Sequence, residues 1–307
     1  MKKSLALIIS VVMLCGLALV GCSSPSSSTP ASTPASTPAS TPAGTPESTP
    51  ASTPDSAPAD DPGDAGDHEP VSILVAAAAS LENAYTGDLI PAFQELYDYI
   101  TVEGSYDSSG KLQTQIEEGL EAAVFMSAAT KQMNALVDAG LIDPDSVVDL
   151  LENEIVLIAP IDSDTTIDSF ERIVEAESIA LGDPTSVPAG QYAEEALTSL
   201  GVYDQITAKT SFGTNVTEVL AAVAEGSADV GIVYATDAAS MPDQVKVLAT
   251  APEGSLETKV IYPVGILASA EGDERIAAEA FVEFLQSPEA MAVFEAYGFK
   301  SNVGAAA

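Results

Sequence analysis

The sequence has little of several residue types on which common protein functions depend. It contains no tryptophan, one histidine and two cysteines among 307 residues. Lysine and arginine together number 10 against 46 aspartates and glutamates, which gives a formal net charge of −36. Such an excess of negative charge repels nucleic acids and anionic membrane surfaces. Both are therefore excluded as partners, and so are catalytic or metal sites built from several histidines.

The first 21 residues have the pattern of a cleaved export signal. Two lysines precede an apolar run over 5–20, and the run ends in Leu-Val-Gly-Cys at Cys22. The run is short for a bilayer-spanning helix, although a membrane anchor is the alternative for such a segment. The ending resembles bacterial lipoprotein signals, which implies that Cys22 is lipidated and holds the protein at the outer face of the cytoplasmic membrane, extracellular or periplasmic. Cys15 then leaves with the signal, so no disulfide is expected.

Residues 22–70 are predicted to form a disordered tether. The stretch repeats Ser-Thr-Pro-Ala, holds eleven of the twenty prolines and contains no aromatic residue. Without large apolar side chains it cannot offset the entropy lost on folding. An extended chain of this length reaches roughly 150 Å at about 3.1 Å per residue. The acidic cluster at its end lacks the spacing of a calcium-binding loop, and a solvated tail is the preferred interpretation.

From Val71 onward, short apolar segments alternate with amphipathic ones. The predicted strands are 72–77, 100–102, 124–127, 155–159, 179–181, 230–234 and 262–267. The predicted helices are 81–96, 112–118, 191–200, 216–224, 274–286 and 288–297. This alternation predicts an α/β fold with largely parallel sheets, in which ligands bind beyond the carboxyl ends of strands, where helices begin.

Five positions at such strand ends could contribute to a ligand site. Ser80 and Ser109 stand at helix starts, where a serine either caps its own helix or donates to an anion at the positive helix end. Ala189 and Val216 lie at the starts of two further helices and leave their backbone N–H groups uncovered. Tyr234 ends a strand, where an ordinary core tyrosine is the alternative. Together the five would supply neutral donors and no cation, which suits a fully deprotonated oxyanion.

The segment Gly110-Lys111 does not complete a nucleotide phosphate loop. Leu112 stands where a serine or threonine would bind Mg²⁺, and the preceding glycine, Gly104, is one residue too far away. Lys111 is therefore interpreted as a solvated helix residue. A hydrolase would need a nucleophile and a base, but His68 lies in the tether and Cys22 is expected to be lipidated. The protein is accordingly not predicted to be an enzyme, and no cofactor or directly bound metal cation is expected.

Several segments resemble those of the molybdate-binding proteins that serve ABC importers. In chain order they are 77–81, 108–112, 115–119, 182–184, 187–190, 192–193, 231–234, 237–238, 262–264 and 297–299. The run Gly-Asp-Pro followed by Pro-Ala-Gly is the most specific of them. The resemblance implies a two-lobed, type II periplasmic-binding fold with a ligand cleft between lobes. Lobe I would hold 71–154 plus 263–303, and lobe II would hold 155–262.

The resemblance also assigns roles to the five positions. It implies that the hydroxyl and N–H groups of Ser80 and Ser109 hold the oxyanion from lobe I. The backbone N–H groups of Ala189 and Val216 and the hydroxyl of Tyr234 would hold it from lobe II. Two positions depart from the family pattern. Ala123 replaces a usual aspartate, and Asp107 precedes the second serine loop where relatives have a neutral residue, so its carboxylate is expected to turn outward.

The expected function is that of a lipid-anchored receptor that captures molybdate, and tungstate with it, and delivers the ion to a membrane permease. The two lobes would close on the ligand by a hinge motion. A sulfate receptor is the alternative within the same class, and a purely structural surface lipoprotein is the alternative outside it. A monomer is expected.

Overall fold

The computed structural model describes residues 69–303. The predicted signal 1–21, the lipidation site Cys22 and nearly all of the predicted tether 22–70 lie outside the described residues. None of the helices formed by residues 69–303 combines the length and the apolar character that a bilayer-spanning segment needs.

Eleven strands and ten α-helices follow one another through the described residues. The strands are β1 (Val71–Ala78), β2 (Ile100–Asp107), β3 (Val124–Met126), β4 (Val148–Asn153), β5 (Ile155–Pro160), β6 (Ile179–Gly182), β7 (Thr210–Gly213), β8 (Val230–Tyr234), β9 (Val245–Thr250), β10 (Val260–Ile266) and β11 (Lys300–Ser301). The helices are α1 (Glu82–Ala84), α2 (Ile90–Leu96), α3 (Ser109–Glu117), α4 (Thr130–Asp138), α5 (Pro188–Ser199), α6 (Tyr203–Ile206), α7 (Val216–Ala224), α8 (Ala235–Ser240), α9 (Gly272–Leu285) and α10 (Pro288–Ala296).

The strands form two separate sheets. The first has the order β11-β4-β10-β3-β1-β2 and the second has the order β7-β6-β8-β5-β9. The chain leaves the first sheet after Asn153, enters the second at Ile155, and is back in the first sheet at Val260. The predicted division into lobes at 154 and 263 stays a prediction, while the two sheets give it a structural basis.

The expectation of largely parallel sheets is wrong, because both sheets are mixed. In the first, β1 is parallel to β2 and β3, whereas β10 runs antiparallel to β3 and β4. In the second, β6 is parallel to β7 and β8, whereas β5 runs antiparallel to β8 and β9. The reason lies in the crossings: β4 carries the chain out of the first sheet and β10 brings it back, so these neighbours must run in opposite directions.

The parallel part of each sheet carries the strand-to-helix turns that the sequence predicts. Two residues after their last helical residue, helices α3, α5 and α7 have Gly119, Gly201 and Gly226, whose φ angles of 99°, 72° and 70° suit a residue without a Cβ. The predicted helix 81–96 is one helical path, but it contains a 3₁₀ turn at Ala79–Leu81 and a π segment at Tyr85–Leu89. This arrangement aligns the beginnings of several helices with the carboxyl ends of buried strands.

Candidate functional site

The structure brings all five predicted site residues to one small cavity. Its volume is about 10 Å³, and it lies where strands of both sheets end. It is lined by Ala78, Ala79, Ser80, Ser108, Ser109, Ala128, Val187, Pro188, Ala189, Val216 and Tyr234. The first sheet and its turns supply the serines, and the second supplies the helix starts of α5 and α7 and the end of β8. No lysine, arginine, aspartate or glutamate is among these lining residues.

Ser109 is fully buried at the first position of α3. Its Oγ accepts a hydrogen bond from the N–H of Ala128 at 3.0 Å. Because a lone pair of the oxygen is occupied in this way, the hydroxyl proton remains available to a ligand in the cavity. The Ala128 contact also fixes the serine side chain in one orientation.

Ser80 is held by a relay of hydrogen bonds that the sequence does not predict. Its Oγ lies 3.0 Å from the hydroxyl of Tyr262, and that hydroxyl accepts from the side-chain amide of Asn153 at 3.3 Å. The same amide donates to Oγ1 of Thr236 at 3.0 Å. Since the Tyr262 oxygen accepts from Asn153, its proton can go to Ser80, and the proton of Ser80 is then free to donate to a ligand.

Tyr234 presents a neutral hydroxyl to the cavity. The side chain is 1% exposed, and burial raises the pKa of its phenol well above the ordinary value, with the nearby Tyr262 adding to the effect. The group therefore stays protonated, as a hydrogen-bond donor must. In the structure its hydroxyl donates to the carbonyl of Ala128 at 3.3 Å, on the opposite sheet's side of the cavity.

The two backbone donors depend on close packing at the helix starts. Ala189 follows Pro188 in the first turn of α5, and Val216 is the first residue of α7, so neither N–H has a partner within its own helix. A Cβ at Gly190 would lie 2.1 Å from the carbonyl oxygen of Gly182, so this glycine lets the helix start approach the end of β6. Gly182 and Gly190 thus allow the Ala189 N–H to reach the cavity.

The charged residues beside the cavity neutralise one another. Asp107 Oδ1 accepts from the N–H of Ser108 at 2.8 Å and from Nζ of Lys111 at 3.1 Å, and Nδ2 of Asn215 lies 3.4 Å away. The carboxylate is not among the lining groups and is 26% exposed. Lys111 is likewise paired with Asp107 rather than turned to the cavity. The other departure from the family pattern, Ala123, is fully buried immediately before β3.

Several hydrogen bonds join the two sides across the site. The N–H of Gly110 donates to the carbonyl of Ser186 at 2.9 Å, and Nε2 of Gln132 donates to Oε1 of Gln191 at 3.2 Å. The Tyr234 hydroxyl donates to Ala128, and the side-chain amide of Asn215 donates to Asp107. A Cβ at Gly110 would lie 2.4 Å from the Ser186 oxygen, so the approach requires glycine. The structure therefore represents a closed arrangement of the two sides.

A much larger pocket lies beside this cleft and has the wrong chemistry for an anion. Its volume is about 730 Å³, and none of the five predicted residues lines it. The carboxylates of Glu194, Glu195 and Glu257 line it together with a single cation, Lys131. An anion there would meet net negative charge, so size alone does not identify the site.

Asp237 is a buried carboxylic acid next to the cavity that the sequence analysis missed. Its Oδ2 accepts from the N–H of Tyr234 at 3.0 Å. Burial raises its pKa to about 7, and the bond from Tyr234 opposes that rise. Because the pKa in the folded state exceeds the unfolded value, the folded protein binds the proton more tightly. This contribution to stability is complete below the unfolded pKa and is lost as the pH rises through about 7.

Replacing Asp237 by asparagine should make the protein less sensitive to alkaline pH. The amide oxygen can still accept from the Tyr234 N–H, but no buried charge forms as the pH rises. We expect the melting temperature of Asp237→Asn to exceed that of the parent by a margin that grows between about pH 5 and pH 8. The exposed Asp243→Asn serves as the control and should follow the parent. Parallel melting curves for Asp237→Asn and the parent across this range would contradict the assignment.

The fold and the cavity define a class of protein. Two sheets connected by two chain crossings close on a small cavity lined by neutral donors, which is the architecture of a solute-binding protein. The sequence profile of the bacterial extracellular solute-binding protein family matches residues 73–300. The chain belongs to this family, whose members bind solutes outside the cytoplasm.

Three individual relatives are similar to this chain over about three quarters of its length. YvgL of Bacillus subtilis (strain 168), whose name describes an ABC transporter substrate-binding lipoprotein, is 40% identical over 232 residues, covering 76% of this chain and 87% of its own. The molybdate-binding protein ModA of Escherichia coli (strain K12) is 40% identical over 233 residues, covering 74% and 88%. The solved periplasmic molybdate-binding protein of Azotobacter vinelandii superposes with a TM-score of 0.64 at 25% identity, covering 74% and 98%. The expected periplasmic-binding fold is confirmed.

Proposed function

We propose that this protein captures molybdate outside the cytoplasm and delivers it to the membrane permease of an ABC importer. The observation that carries the proposal is the convergence of five neutral donors from both sheets on one cavity whose lining contains no carboxylate. The similarity to molybdate-binding relatives at 40% identity supports the choice of ion. We extend the proposal to tungstate, which has the same charge and nearly the same size.

The donor-only lining discriminates among oxyanions by protonation. Molybdate is fully deprotonated at neutral pH and needs only donors. Hydrogen phosphate carries a proton that needs an acceptor, normally a carboxylate, and the cavity lining has none. Sulfate, the alternative ligand, is also fully deprotonated at neutral pH, so a lining that offers only donors does not exclude it. Sulfate is smaller than molybdate, and the similarity to molybdate-binding relatives favours molybdate as the ligand.

Capture is proposed to proceed by closure of the two sides around the ion. Ser80 and Ser109 would hold the ion from the first sheet, while Ala189, Val216 and Tyr234 would hold it from the second. Because the ion bridges both sides, it favours the closed state by its differential affinity for that state. The contacts between Gly110 and Ser186 and between Gln132 and Gln191 would add to closure.

The protein's attachment is part of the proposal. We propose that Cys22 carries the lipid, that residues 1–21 are removed as a signal, and that residues 22–70 tether a monomeric receptor to the outer face of the cytoplasmic membrane. The name of YvgL as a lipoprotein supports this arrangement. No catalytic role is proposed for any residue.

A thermal-shift titration tests the ligand. The purified protein is melted with sodium molybdate, tungstate, sulfate or phosphate at equal ionic strength and neutral pH. A ligand at a hundredfold excess over its Kd stabilises the folded state by about 2.7 kcal/mol, so the melting temperature should rise with molybdate and tungstate and increase further with concentration. Sulfate and phosphate should leave it nearly unchanged.

The other outcomes have distinct meanings. A shift with sulfate alone would retain the receptor and replace its ligand. No shift with any of the four anions would contradict the proposal and favour a structural surface lipoprotein.

A further inference from the structure

Ser108 occupies the N-cap position of α3 without capping the helix. Its backbone is extended, with φ −61° and ψ 142°, as suits an N-cap, but its side chain accepts no hydrogen bond from the first turn. A serine at this position normally accepts from the N–H two or three residues ahead. Here the N–H of Gly110, two residues ahead, donates to Ser186 across the cleft instead.

The Ser108 hydroxyl is buried and has no partner. The residue is 3% exposed, and its Oγ is one of four buried side-chain polar atoms within residues 69–303 that make no hydrogen bond. The other three are on Tyr106, Gln132 and Gln191, and none of those residues lines the cavity. Ser108 does line it, next to Ser109. An unpaired buried hydroxyl is unfavourable, so its retention at a ligand cavity indicates a partner that arrives with the ligand.

We propose that the Ser108 hydroxyl is a sixth donor to the bound oxyanion. The inference rests on the proposed function and adds a residue that neither the sequence nor the resemblance indicates. The backbone groups of Ser108 are already used, since its N–H donates to Asp107 and its carbonyl accepts from Leu112. The hydroxyl proton is therefore the group that Ser108 has left to offer, and an anionic oxygen is the acceptor that the cavity lining lacks.

The two possible roles of Ser108 differ in what its removal changes. If the hydroxyl serves the ligand, Ser108→Ala loses affinity but keeps the stability of the ligand-free protein, because no folded-state hydrogen bond is lost. If the hydroxyl instead caps α3 when the sides separate, the same variant melts at a lower temperature without ligand and keeps its affinity.

The matched control is another buried serine whose hydroxyl has a partner. Ser255 is 5% exposed, and its Oγ donates to the carbonyl of Pro252 at 2.7 Å, away from the oxyanion cavity. Ser255→Ala should lower the melting temperature of the ligand-free protein and leave the affinity unchanged. It thus shows the opposite pattern to that expected for Ser108→Ala.

The experiment is calorimetric titration of the full protein and both variants with sodium molybdate, with a melting curve of each without ligand. We expect Ser108→Ala to bind about 10- to 150-fold more weakly, the effect of one lost hydrogen bond to a charged group, with a melting temperature equal to or above that of the parent. Equal affinity of parent and Ser108→Ala, whatever the melting temperature, would overturn the inference while retaining the proposed function. Failure of the parent itself to bind molybdate would overturn both.

Discussion

Gly110→Ala is expected to lower the affinity for molybdate by about a hundredfold or more, because it prevents closure. The alanine Cβ would lie 2.4 Å from the carbonyl oxygen of Ser186 and 2.7 Å from its Cα. These are backbone atoms, which cannot rotate away as a flexible side chain can. The two sides would have to remain further apart, and the hydrogen bond from the Gly110 N–H to Ser186 would be lost. A ligand that needs the closed state then binds in proportion to the small closed fraction that remains.

The same substitution should leave the ligand-free fold intact. Gly110 lies in the first turn of α3, where alanine is the better helix former by up to about 1 kcal/mol. The variant is therefore expected to melt at or above the temperature of the parent while binding poorly. Gln115→Ala, an exposed change in the same helix, is the control and should bind like the parent.

Calorimetry and small-angle X-ray scattering together check this prediction. Molybdate should reduce the radius of gyration of the parent and of Gln115→Ala, but not that of Gly110→Ala. Parental affinity together with ligand-induced compaction in Gly110→Ala would show that the contact with Ser186 does not limit closure.

Ser109→Ala is expected to weaken binding by about 1–3 kcal/mol, or roughly 5- to 150-fold, because a buried anion loses a donor. The Ser109 hydroxyl makes one hydrogen bond in the structure and would make a second in the proposed complex. It accepts from the N–H of Ala128 at 3.0 Å and, in the proposed complex, donates to the ion. Removing it leaves a buried N–H unpaired, so the variant should also melt at a lower temperature without ligand.

The affinity change is separable from the stability change by measuring well below the melting temperature. Thr114→Ala removes a hydroxyl from the same helix, one that donates to the carbonyl of Gly110 at the exposed surface. This control should keep the affinity of the parent. An unchanged affinity in Ser109→Ala by calorimetry would remove this serine from the proposed ligand set.

Much of the site could be predicted because its signals are local. A buried strand followed by small residues and a serine predicts a strand-to-helix turn, and Ser80 and Ser109 lie at such turns. Glycines that stop helices, such as Gly201 and Gly226, fixed the element boundaries well. Because turns at the ends of parallel strands share one edge of a sheet, the approximate neighbourhood of the five donors followed from their order along the chain.

The remaining features depend on contacts between distant parts of the chain. The relay from Asn153 through Tyr262 to Ser80 joins residues separated by 109 and 182 positions. No local pattern marks Asn153 for this role, and Tyr262 enters the sequence analysis only as part of a predicted strand and of a segment that resembles the family. The strands β4 and β9 are absent from the predicted strands. The strand β10 is predicted, but its antiparallel direction depends on where the chain changes sheet, which no local pattern shows.

Ser108 illustrates a different limit. Two adjacent serines precede Gly110, and the sequence analysis assigns only Ser109 to the site. The structure distinguishes them by the partner of each hydroxyl, since the Ser109 hydroxyl accepts from the Ala128 N–H and the Ser108 hydroxyl makes no hydrogen bond. The difference arises because the Gly110 N–H is used across the cleft.

Two of the proposed ligand residues, Ala189 and Val216 in the first turns of α5 and α7, contribute only their main-chain amides. Substitution of either residue by any amino acid other than proline leaves its amide hydrogen in place. A related receptor with a different ligand specificity must therefore differ at the serines and the tyrosine, or at the glycines that set the distances between the donors. Part of the recognition surface is thus inherited with the backbone, which allows related receptors to exchange one tetrahedral anion for another while keeping the same fold.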